Sequence, residues 1–312
     1  MAFIHKYSTI SKGNTFNQGI IDGCINSKIA TDITHPDYKD VITGINLRRM
    51  SVIVKMGLAN TIKCSSRNKI DAIVVATGLA SLHNSELFLC SLIDPEQSIL
   101  SPTPFINSVH NTISGEIALH TQNKGYNITY SQGSLSFEGA LLDSILLTKE
   151  GKNVIVGGVD EAIPLLDNLS MKIKSKEEFT TGSTFFNVSP NKNGSLAEIV
   201  NCIITKEKKA NYYITDNFNS NEDVLISGHS ICSHSKKINT LNYSKFSGIF
   251  MTNPAFGLQL AVELLNANIS ELDGCKLPSK IKRIFIINHA SKNDIGIIIL
   301  RKWHPYSVLF YL

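Results

Sequence analysis

One serine stands where an enzyme could carry a nucleophile, in the segment TYSQGSLSFEGALLD of residues 129–143. A β-branched and aromatic run ends there at Gly133 and Ser134, and an apolar stretch with helical spacing follows. When a buried strand enters a helix through a sharp turn, the helix N-terminus stabilises negative charge that develops at the turn. Ser134 is therefore a candidate nucleophile, although a serine hydroxyl needs a nearby general base before it attacks.

The histidines and acidic residues that could assist such chemistry are isolated in the sequence. His110 has no ligand-like neighbours and is expected to be an ordinary helix or loop histidine. His229 and His234 would form a metal pair only with further ligands, which the sequence does not supply. Asp160 and Glu161 close a predicted strand, where we expect them to cap the next turn. The six cysteines contain no CxxC pair, so reduced thiols are expected, and the sequence predicts no metal and no cofactor.

The composition describes a globular protein and excludes some classes of partner. Hydrophobic residues make up 43% of the 312 positions and charged residues 18%, which is enough to bury a substantial core. A net charge of +4 is too small to indicate nucleic-acid binding, and Arg48 and Arg49 are expected to belong to a solvated face. The N-terminus lacks a long apolar signal segment and no run reaches membrane-spanning length, so we expect a cytoplasmic protein without a membrane partner.

Apolar runs typical of buried strands alternate with helical stretches, which favours an α/β protein with a covered sheet. A helix is predicted at about 135–148, and strands are predicted at 70–78, 126–131 and 153–161. After a polar connector near 171–179, a second series of strands and helices ends in two strands joined by the turn ASKND. The sequence therefore divides into halves of residues 1–170 and 171–312, which suggests an internal duplication of architecture.

Four segments, in a consistent order and spacing, resemble successive parts of the β-ketoacyl synthase family: RRMSVIVKMGLAN, AIVVATGLASLHNSELFL, SPTPFINSVHNTISGEIALH and VIVGGVDE. The resemblance covers most of residues 45–165 and returns more faintly from 182 to the end. The family has the thiolase fold, so the resemblance implies five layers, α/β/α/β/α, built from two similar halves. The chain is shorter than a usual ketosynthase, and we expect the C-terminal half to be the shortened one.

The family's catalytic cysteine and one catalytic histidine are missing from the positions that the resemblance indicates. A gapless count from Gly125 and a second count back from Ala140 both place the cysteine position on Ser134. The family's later Gly-His pair resembles Gly248 and Ile249, and isoleucine has no proton to donate. Ser134 and Ile249 are therefore interpreted as vestigial positions, and the resemblance implies that no catalytic residue remains.

Other parts of the family's catalytic set are kept only in part. The resemblance suggests Lys245 for the family lysine, with its register one residue off. The C-terminal asparagine motif resembles INHASKND and keeps Asn288 without the glycine-rich loop. The first histidine loop would lie near ISGHSICSHSKK, which lacks the Gly-Thr that follows the family histidine.

The resemblance implies a non-catalytic ketosynthase-like subunit, similar to a chain length factor, that pairs with an active ketosynthase. Such a heterodimer would extend chains that are held on an acyl carrier protein. Three segments are further similar to the short ketosynthase-like proteins of aryl polyene and flexirubin pigment clusters: SPTPFINSVHNTISGEIALH, GYNITY and SFEGALLD. This narrower likeness implies a polyunsaturated carboxylic acid as the product of a type II polyketide synthase.

The resemblance also indicates an interface. In the family the strand before the nucleophile pairs across the two-fold axis of the dimer, and here that strand is 126–131. Phe105 and Ser108 would point towards the partner's acyl tunnel, where Phe105 would limit chain length. Thr129 and Gln132 belong to the same candidate interface. Gln132 lies two positions before the place at which chain length factors of type II polyketide synthases carry a glutamine.

Two functions of other classes stay open from the sequence. Ser134 could serve a serine-dependent acyltransferase or thioester hydrolase if a general base lay beside it. The chain could also be a free-standing acyl-binding scaffold with the same fold. A stoichiometric ketosynthase partner would separate the scaffold from the chain length factor-like subunit.

Overall fold

The computed structural model describes residues 1–26, 32–43, 47–65, 69–94, 99–172, 179–228, 240–290 and 293–303. Within these residues the strands are β1 (Ala2–Ile10), β2 (Ala72–Ala76), β3 (Tyr126–Tyr130), β4 (Val154–Asp160), β5 (Gly182–Ser189), β6 (Ala197–Lys206), β7 (Asp223–Ser227), β8 (Thr240–Asn242), β9 (Glu271–Leu272), β10 (Cys275–Lys276), β11 (Arg283–His289) and β12 (Asp294–Arg301). The α-helices are α1 (Thr15–Ile20), α2 (Tyr38–Val41), α3 (Val52–Cys64), α4 (Leu82–Ile93), α5 (Pro102–Ser108), α6 (Thr112–His120), α7 (Ser136–Lys149), α8 (Pro164–Lys172), α9 (Glu207–Asn217), α10 (Ser244–Ser247) and α11 (Pro254–Asn266). A π-helix at Ile21–Ile25 and 3₁₀-helices at Leu47–Arg49 and Gly133–Leu135 complete the helical segments of these ranges.

The central strands form from apolar, largely β-branched runs that are covered on both faces. Every residue of β2, with the sequence AIVVA, and of β4, with VIVGGVD, is buried. Parallel strands between two helix layers need such continuous apolar runs. The strands predicted at 70–78, 126–131 and 153–161 are confirmed as β2, β3 and β4, and the predicted helix is confirmed as α7.

The described strands repeat one pattern twice. Ten of them form a mixed sheet in the order β3-β2-β4-β5-β1-β6-β12-β11-β7-β8. In the first five, β3, β2 and β4 run parallel, whereas β5 is antiparallel to β4 and β1 is antiparallel to β5. In the second five, β8, β7 and β11 run parallel, β12 is antiparallel to β11, and β6 is antiparallel to β12. The strand order and directions are the same in both sets, which is the internal duplication expected from the sequence.

Helices cover both faces of each set of strands and also fill the space between the sets. α3 and α6 cover the outer face of the first set, where Ile53, Ile113 and Ile155 share one buried cluster. α9 covers the outer face of the second set, where Ala210 packs with Phe285. α7 and α11 lie between the sets, in a cluster that contains side chains from both. The five layers α/β/α/β/α expected from the sequence are therefore present.

The repeat has its boundary between β5 and β6. Residues 2–4 of β1 pair antiparallel with residues 197–199 of β6, and this short ladder joins the two sets at the centre of the sheet. The first set runs through Ser189, so the predicted division at residue 170 precedes its last strand. A division of the chain into two domains at that residue stays a proposal. Residues 173–178 of the predicted connector lie outside the described residues.

The described cysteines differ in their exposure to solvent. Cys64 and Cys202 are buried, and burial raises the pKa of both thiols, so both are neutral at physiological pH. Cys90 is exposed on α4.

Across the described ranges, no helix combines the length and the apolar character that crossing a membrane requires.

Candidate functional site

Ser134 lies in a tight corner between β3 and α7. Gly133 has a φ of 58°, in the left-handed region that favours glycine, and it begins the 3₁₀ turn. The hydroxyl of Ser136 holds this corner. Its oxygen accepts from the amide of Gln132 at 2.8 Å and lies 2.7 Å from the carbonyl oxygen of Gly133 and 3.1 Å from that of Thr77. The strand–turn–helix predicted from the sequence is therefore built at this point.

The corner opens onto a cavity of about 200 Å³ that both halves of the chain line. Ser134 comes from the first half, whereas Ile249 and Asn288 come from the second. The cavity is lined by Leu79, Ser134, Asp160, Glu161, Leu166, Phe179, Thr180, Gly228, Tyr243, Ser244, Ile249, Phe250, Met251, Asn253, Pro254, Asn288 and His289. Five positions that the sequence pointed to separately, Ser134, Asp160, Glu161, Ile249 and Asn288, thus share one pocket.

Met251 is the neighbour of the Ser134 hydroxyl. The Oγ of Ser134 donates to the Sδ of Met251 at 3.5 Å, and a thioether is a weak acceptor that cannot take a proton. Gly78 makes room for this side chain, because a Cβ at that position would collide with Met251. Among the described residues, no acid–base side chain forms a hydrogen bond with the Ser134 hydroxyl. In the part of the chain that the structure describes, the partner of this hydroxyl is therefore a thioether and not a base.

Ile249 is fixed next to β5 by a hydrogen bond of its backbone carbonyl group. Gly248 has a φ of 70°, and a side chain there would collide with Thr180. The amide of Thr180 donates to the carbonyl oxygen of Ile249 at 2.9 Å, which fixes the segment next to β5. The Ile249 side chain lines the cavity and offers it no donor and no acceptor.

The structure does not bring Lys245, the residue suggested for the family lysine, to the cavity. Lys245 is exposed and forms an ion pair with Asp273 at 3.0 Å, and it does not line the cavity. Ser244, one residue earlier, does line it. The difference follows from helical geometry, because adjacent residues of α10 point in different directions. His229 and His234 lie outside the described residues.

Asp160 is a buried structural acceptor at the wall of the cavity. Its Oδ1 accepts from the hydroxyl of Thr77 at 3.0 Å and from the amides of Gly78 at 2.7 Å and Leu79 at 3.1 Å. Its Oδ2 accepts from the amide of Thr252 at 2.8 Å. Burial raises the pKa of Asp160, and these hydrogen bonds oppose the shift. The carboxyl group thus joins the end of β2 to the segment before α11.

Glu161 accepts hydrogen bonds at the N-terminus of α4, a helix that is distant from it in the sequence. Its Oε1 accepts from the amide of His83 at 2.8 Å and from the hydroxyl of Ser81 at 3.2 Å, at the start of α4. Carboxylates favour this place because the first amides of a helix lack partners. Asp160 and Glu161 therefore do not cap the next turn as predicted, since the amides of Leu79 and His83 precede them by about 80 residues and that of Thr252 follows Asp160 by 92.

Replacing Asp160 with asparagine is expected to lower the free energy of unfolding by about 2–4 kcal/mol. The asparagine Oδ1 can keep its donors, but its Nδ2 would face the amide of Thr252, which then loses its acceptor. Urea unfolding at pH 7 measures the change. Asp167→Asn, at an exposed position of α8, is the matched control and should stay within about 0.5 kcal/mol of the wild type. Equal stability of the two variants would contradict this role.

Glu138 is the buried carboxyl group that the sequence analysis missed. It lies one helical turn after Ser134 and has no exposed surface. The Nδ2 of Asn288 donates to the Oε1 of Glu138 at 2.8 Å and to the carbonyl oxygen of Ser134 at 2.7 Å. Burial raises the pKa of Glu138 to about 7, and the bond from Asn288 opposes the shift. No sequence signal marks this residue, because its partners come from the other half of the chain.

The candidate interface residues lie around α5 and the end of β3. Phe105 is 54% exposed and its ring centroid lies 5.1 Å from that of Phe88 on α4. Ser108 donates from its hydroxyl to the carbonyl oxygen of Phe105 at 2.8 Å. Thr129 donates to the hydroxyl of Ser114 on α6 at 2.8 Å. Four further residues that the sequence pointed to are exposed: Gln132, His110, Arg48 and Arg49.

Large apolar side chains are exposed where α4 packs against α5. We call this surface the α4–α5 face, and it is formed by Leu89, Leu92, Ile93, Phe105 and Ile106. β3 ends the sheet, and within the described part of the chain no strand pairs with its outer edge. Exposed apolar groups and an open strand edge are typical of surfaces that bind another protein.

Comparison with known proteins identifies the family. A model of the N-terminal domain of β-ketoacyl synthases matches residues 24–180, just over half of the 312 residues. No curated protein sequence matches the chain.

Solved structures share the fold at low sequence identity. The ishigamide ketosynthase/chain length factor is 12% identical, with 97% of this chain and 99% of that chain covered and a TM-score of 0.73. AntDE:AntF, a type II PKS acyl-carrier protein in complex with its ketosynthase, is 14% identical, with 97% and 99% covered and a TM-score of 0.77. The ketosynthase ApeO in complex with its chain length factor ApeC from Xenorhabdus doucetiae is 18% identical, with 66% and 83% covered and a TM-score of 0.50. These likenesses show that the five layers form the thiolase-like fold.

Proposed function

Because this chain belongs to the β-ketoacyl synthase family, we propose that it is a non-catalytic subunit, similar to a chain length factor, that works in a heterodimer with an active ketosynthase. One observation carries the proposal. Ser134 and Ile249 line the cavity where the family resemblance expects a cysteine and a histidine. A thiolate accepts an acyl chain readily, whereas the hydroxyl of Ser134 contacts the thioether of Met251, which cannot act as a base.

The open edge of β3 and the α4–α5 face support a protein partner. Within the described ranges the edge of β3 offers unpaired backbone groups and the α4–α5 face exposes apolar side chains, and an interface with another protein would bury both. The names of two structural relatives describe a ketosynthase together with a chain length factor. We therefore assign the active ketosynthase to this surface.

The finer parts of the proposal concern the product. Phe105 and Ser108 would line the far end of the partner's acyl tunnel, and an acyl carrier protein would deliver the chain. The name of one relative includes an acyl-carrier protein bound to its ketosynthase. We further propose an aryl polyene or flexirubin type of product, which the sequence resemblance supports, and a cytoplasmic location.

Co-expression with a ketosynthase encoded beside this chain tests the pairing. With a tag on one subunit only, purification should return both chains in equal amounts, and the complex should have the mass of one copy of each. Recovery of this chain as a stable monomer, or as a homodimer that excludes the ketosynthase, would reject the proposed function. A ketosynthase from an unrelated cluster is the control and should not be retained.

A further inference from the structure

We propose that Glu138 is a positioning residue that holds the Ser134 corner through Asn288, and that the corner loosens when the Glu138 carboxyl group loses its proton. This inference goes beyond the proposed function, because it concerns how the cavity keeps its shape. It stands on contacts between the two halves of the chain.

One amide group joins the corner to Glu138. The Nδ2 of Asn288 carries two hydrogens, and it donates one to the carbonyl oxygen of Ser134 at 2.7 Å and one to the Oε1 of Glu138 at 2.8 Å. Asn288 lies on β11, whereas Ser134 and Glu138 lie on the turn before α7 and on α7 itself. A change at the carboxyl group therefore reaches the corner through the Asn288 side chain.

The surroundings of Glu138 suit a neutral carboxyl group. Its Oε2 is buried and, within the described ranges, has no hydrogen-bond partner. Gly296 on β12 leaves the space that the carboxyl group fills, since a Cβ there would collide with its Oε1. No basic side chain of the described residues forms an ion pair with it. A buried carboxylate without a charge partner is strongly unfavourable.

The other titratable groups that face Glu138 stay neutral around neutral pH. Cys202 on β6 and Tyr243 at the start of α10 both interact with it electrostatically, and burial raises the pKa of each. Asp160, Glu161 and His289 lie at the cavity wall, and His289 is the neighbour of Asn288 in the chain. The experiment below separates Glu138 from His289.

The direction of the pH effect follows from linkage. The pKa of Glu138 is raised from an ordinary value of 4.5 to about 7. Its contribution is therefore fully present below pH 4.5, falls as the pH rises, and is lost above about pH 7. An ionised carboxyl group gains most from water, and its partner Asn288 lines the cavity. Opening of the corner towards the cavity relieves the charge and releases Asn288.

Amide hydrogen exchange at the corner measures the opening. In the wild type, the opening equilibrium of residues 132–136, after correction for intrinsic exchange, should rise about tenfold between pH 6 and pH 8. In Glu138→Gln, which keeps the size and the acceptor without the titration, it should not change with pH. In Asn288→Ala the corner should already be open at pH 6 and should stay independent of pH.

Two controls make the result decisive. β4 serves as an internal reference because all of its residues are buried, and its exchange should change less than that of the corner. His289→Gln should keep the tenfold change. The proposal is wrong if wild-type exchange at the corner is the same at both pH values, if Glu138→Gln keeps the pH dependence, or if β4 changes as much as the corner. The last outcome would assign Glu138 an effect on global stability alone.

Discussion

Replacing Ile106 with aspartate is expected to weaken binding of this chain to the proposed ketosynthase partner at least a hundredfold, which corresponds to about 3 kcal/mol. Ile106 is 59% exposed on α5, within the α4–α5 face. An interface that buries this position loses the apolar contact and must also desolvate a carboxylate. The fold itself should be unaffected, because the new charge stays in water until the partner arrives.

The dissociation constant of the heterodimer, measured by calorimetry, checks this expectation. Tyr212→Asp is the matched control, because Tyr212 is 73% exposed on α9, on the outer layer of the other half. It should leave the dissociation constant within about twofold of the wild type, as a surface change outside the interface does. If Ile106→Asp binds as tightly as the control, the α4–α5 face is not where the ketosynthase docks.

Phe105→Ala is expected to let the heterodimer release longer acyl chains than the wild type. A rigid aromatic ring at the end of a tunnel limits its depth, because extra methylene groups in a packed space cost about 1–3 kcal/mol. Phe105 is supported in its place by Phe88, at 5.1 Å between ring centroids. Removing the ring leaves room at the proposed tunnel end without disturbing the buried core.

Ser108→Trp tests the opposite change at the same place. The larger side chain should shorten the products or stop elongation early, because it fills space that Ser108 leaves open. Mass spectrometry of the released acids measures the distribution for both variants, after each has been shown to form an intact heterodimer. Products of wild-type length from both intact heterodimers would remove Phe105 and Ser108 from the gating role.

Local patterns of the sequence predict the elements of the fold well. The run YNITY, followed by the glycine-serine corner and an apolar helical stretch, marks β3, the turn and α7 because each feature is contained in adjacent residues. The duplication is also visible, as two successive series of strands and helices. β1 is missed, although it joins the two sets of strands, because its sequence AFIHKYSTI mixes polar and apolar residues at a chain end.

The site is predicted less completely because long-range contacts build it. Met251 beside Ser134, and Glu138 beside Asn288, are separated by more than 100 residues in the chain. No pattern of neighbouring residues encodes such pairs. Lys245 illustrates the same limit, because neighbouring residues of α10 lie in different surroundings that the sequence does not reveal. Lys245 is exposed and pairs with Asp273, whereas Ser244 lies at the cavity wall.

A condensation assay tests the central claim most directly. The purified chain, its ketosynthase and the heterodimer are each incubated with an acylated carrier protein and malonyl-carrier protein, and β-ketoacyl products are followed by mass spectrometry. The heterodimer should form carbon–carbon bonds, whereas this chain alone should form none, because its cavity presents Ser134 and Ile249 where the family resemblance expects a cysteine and a histidine. A β-ketoacyl product made by this chain alone, and lost in Ser134→Ala, would contradict the account.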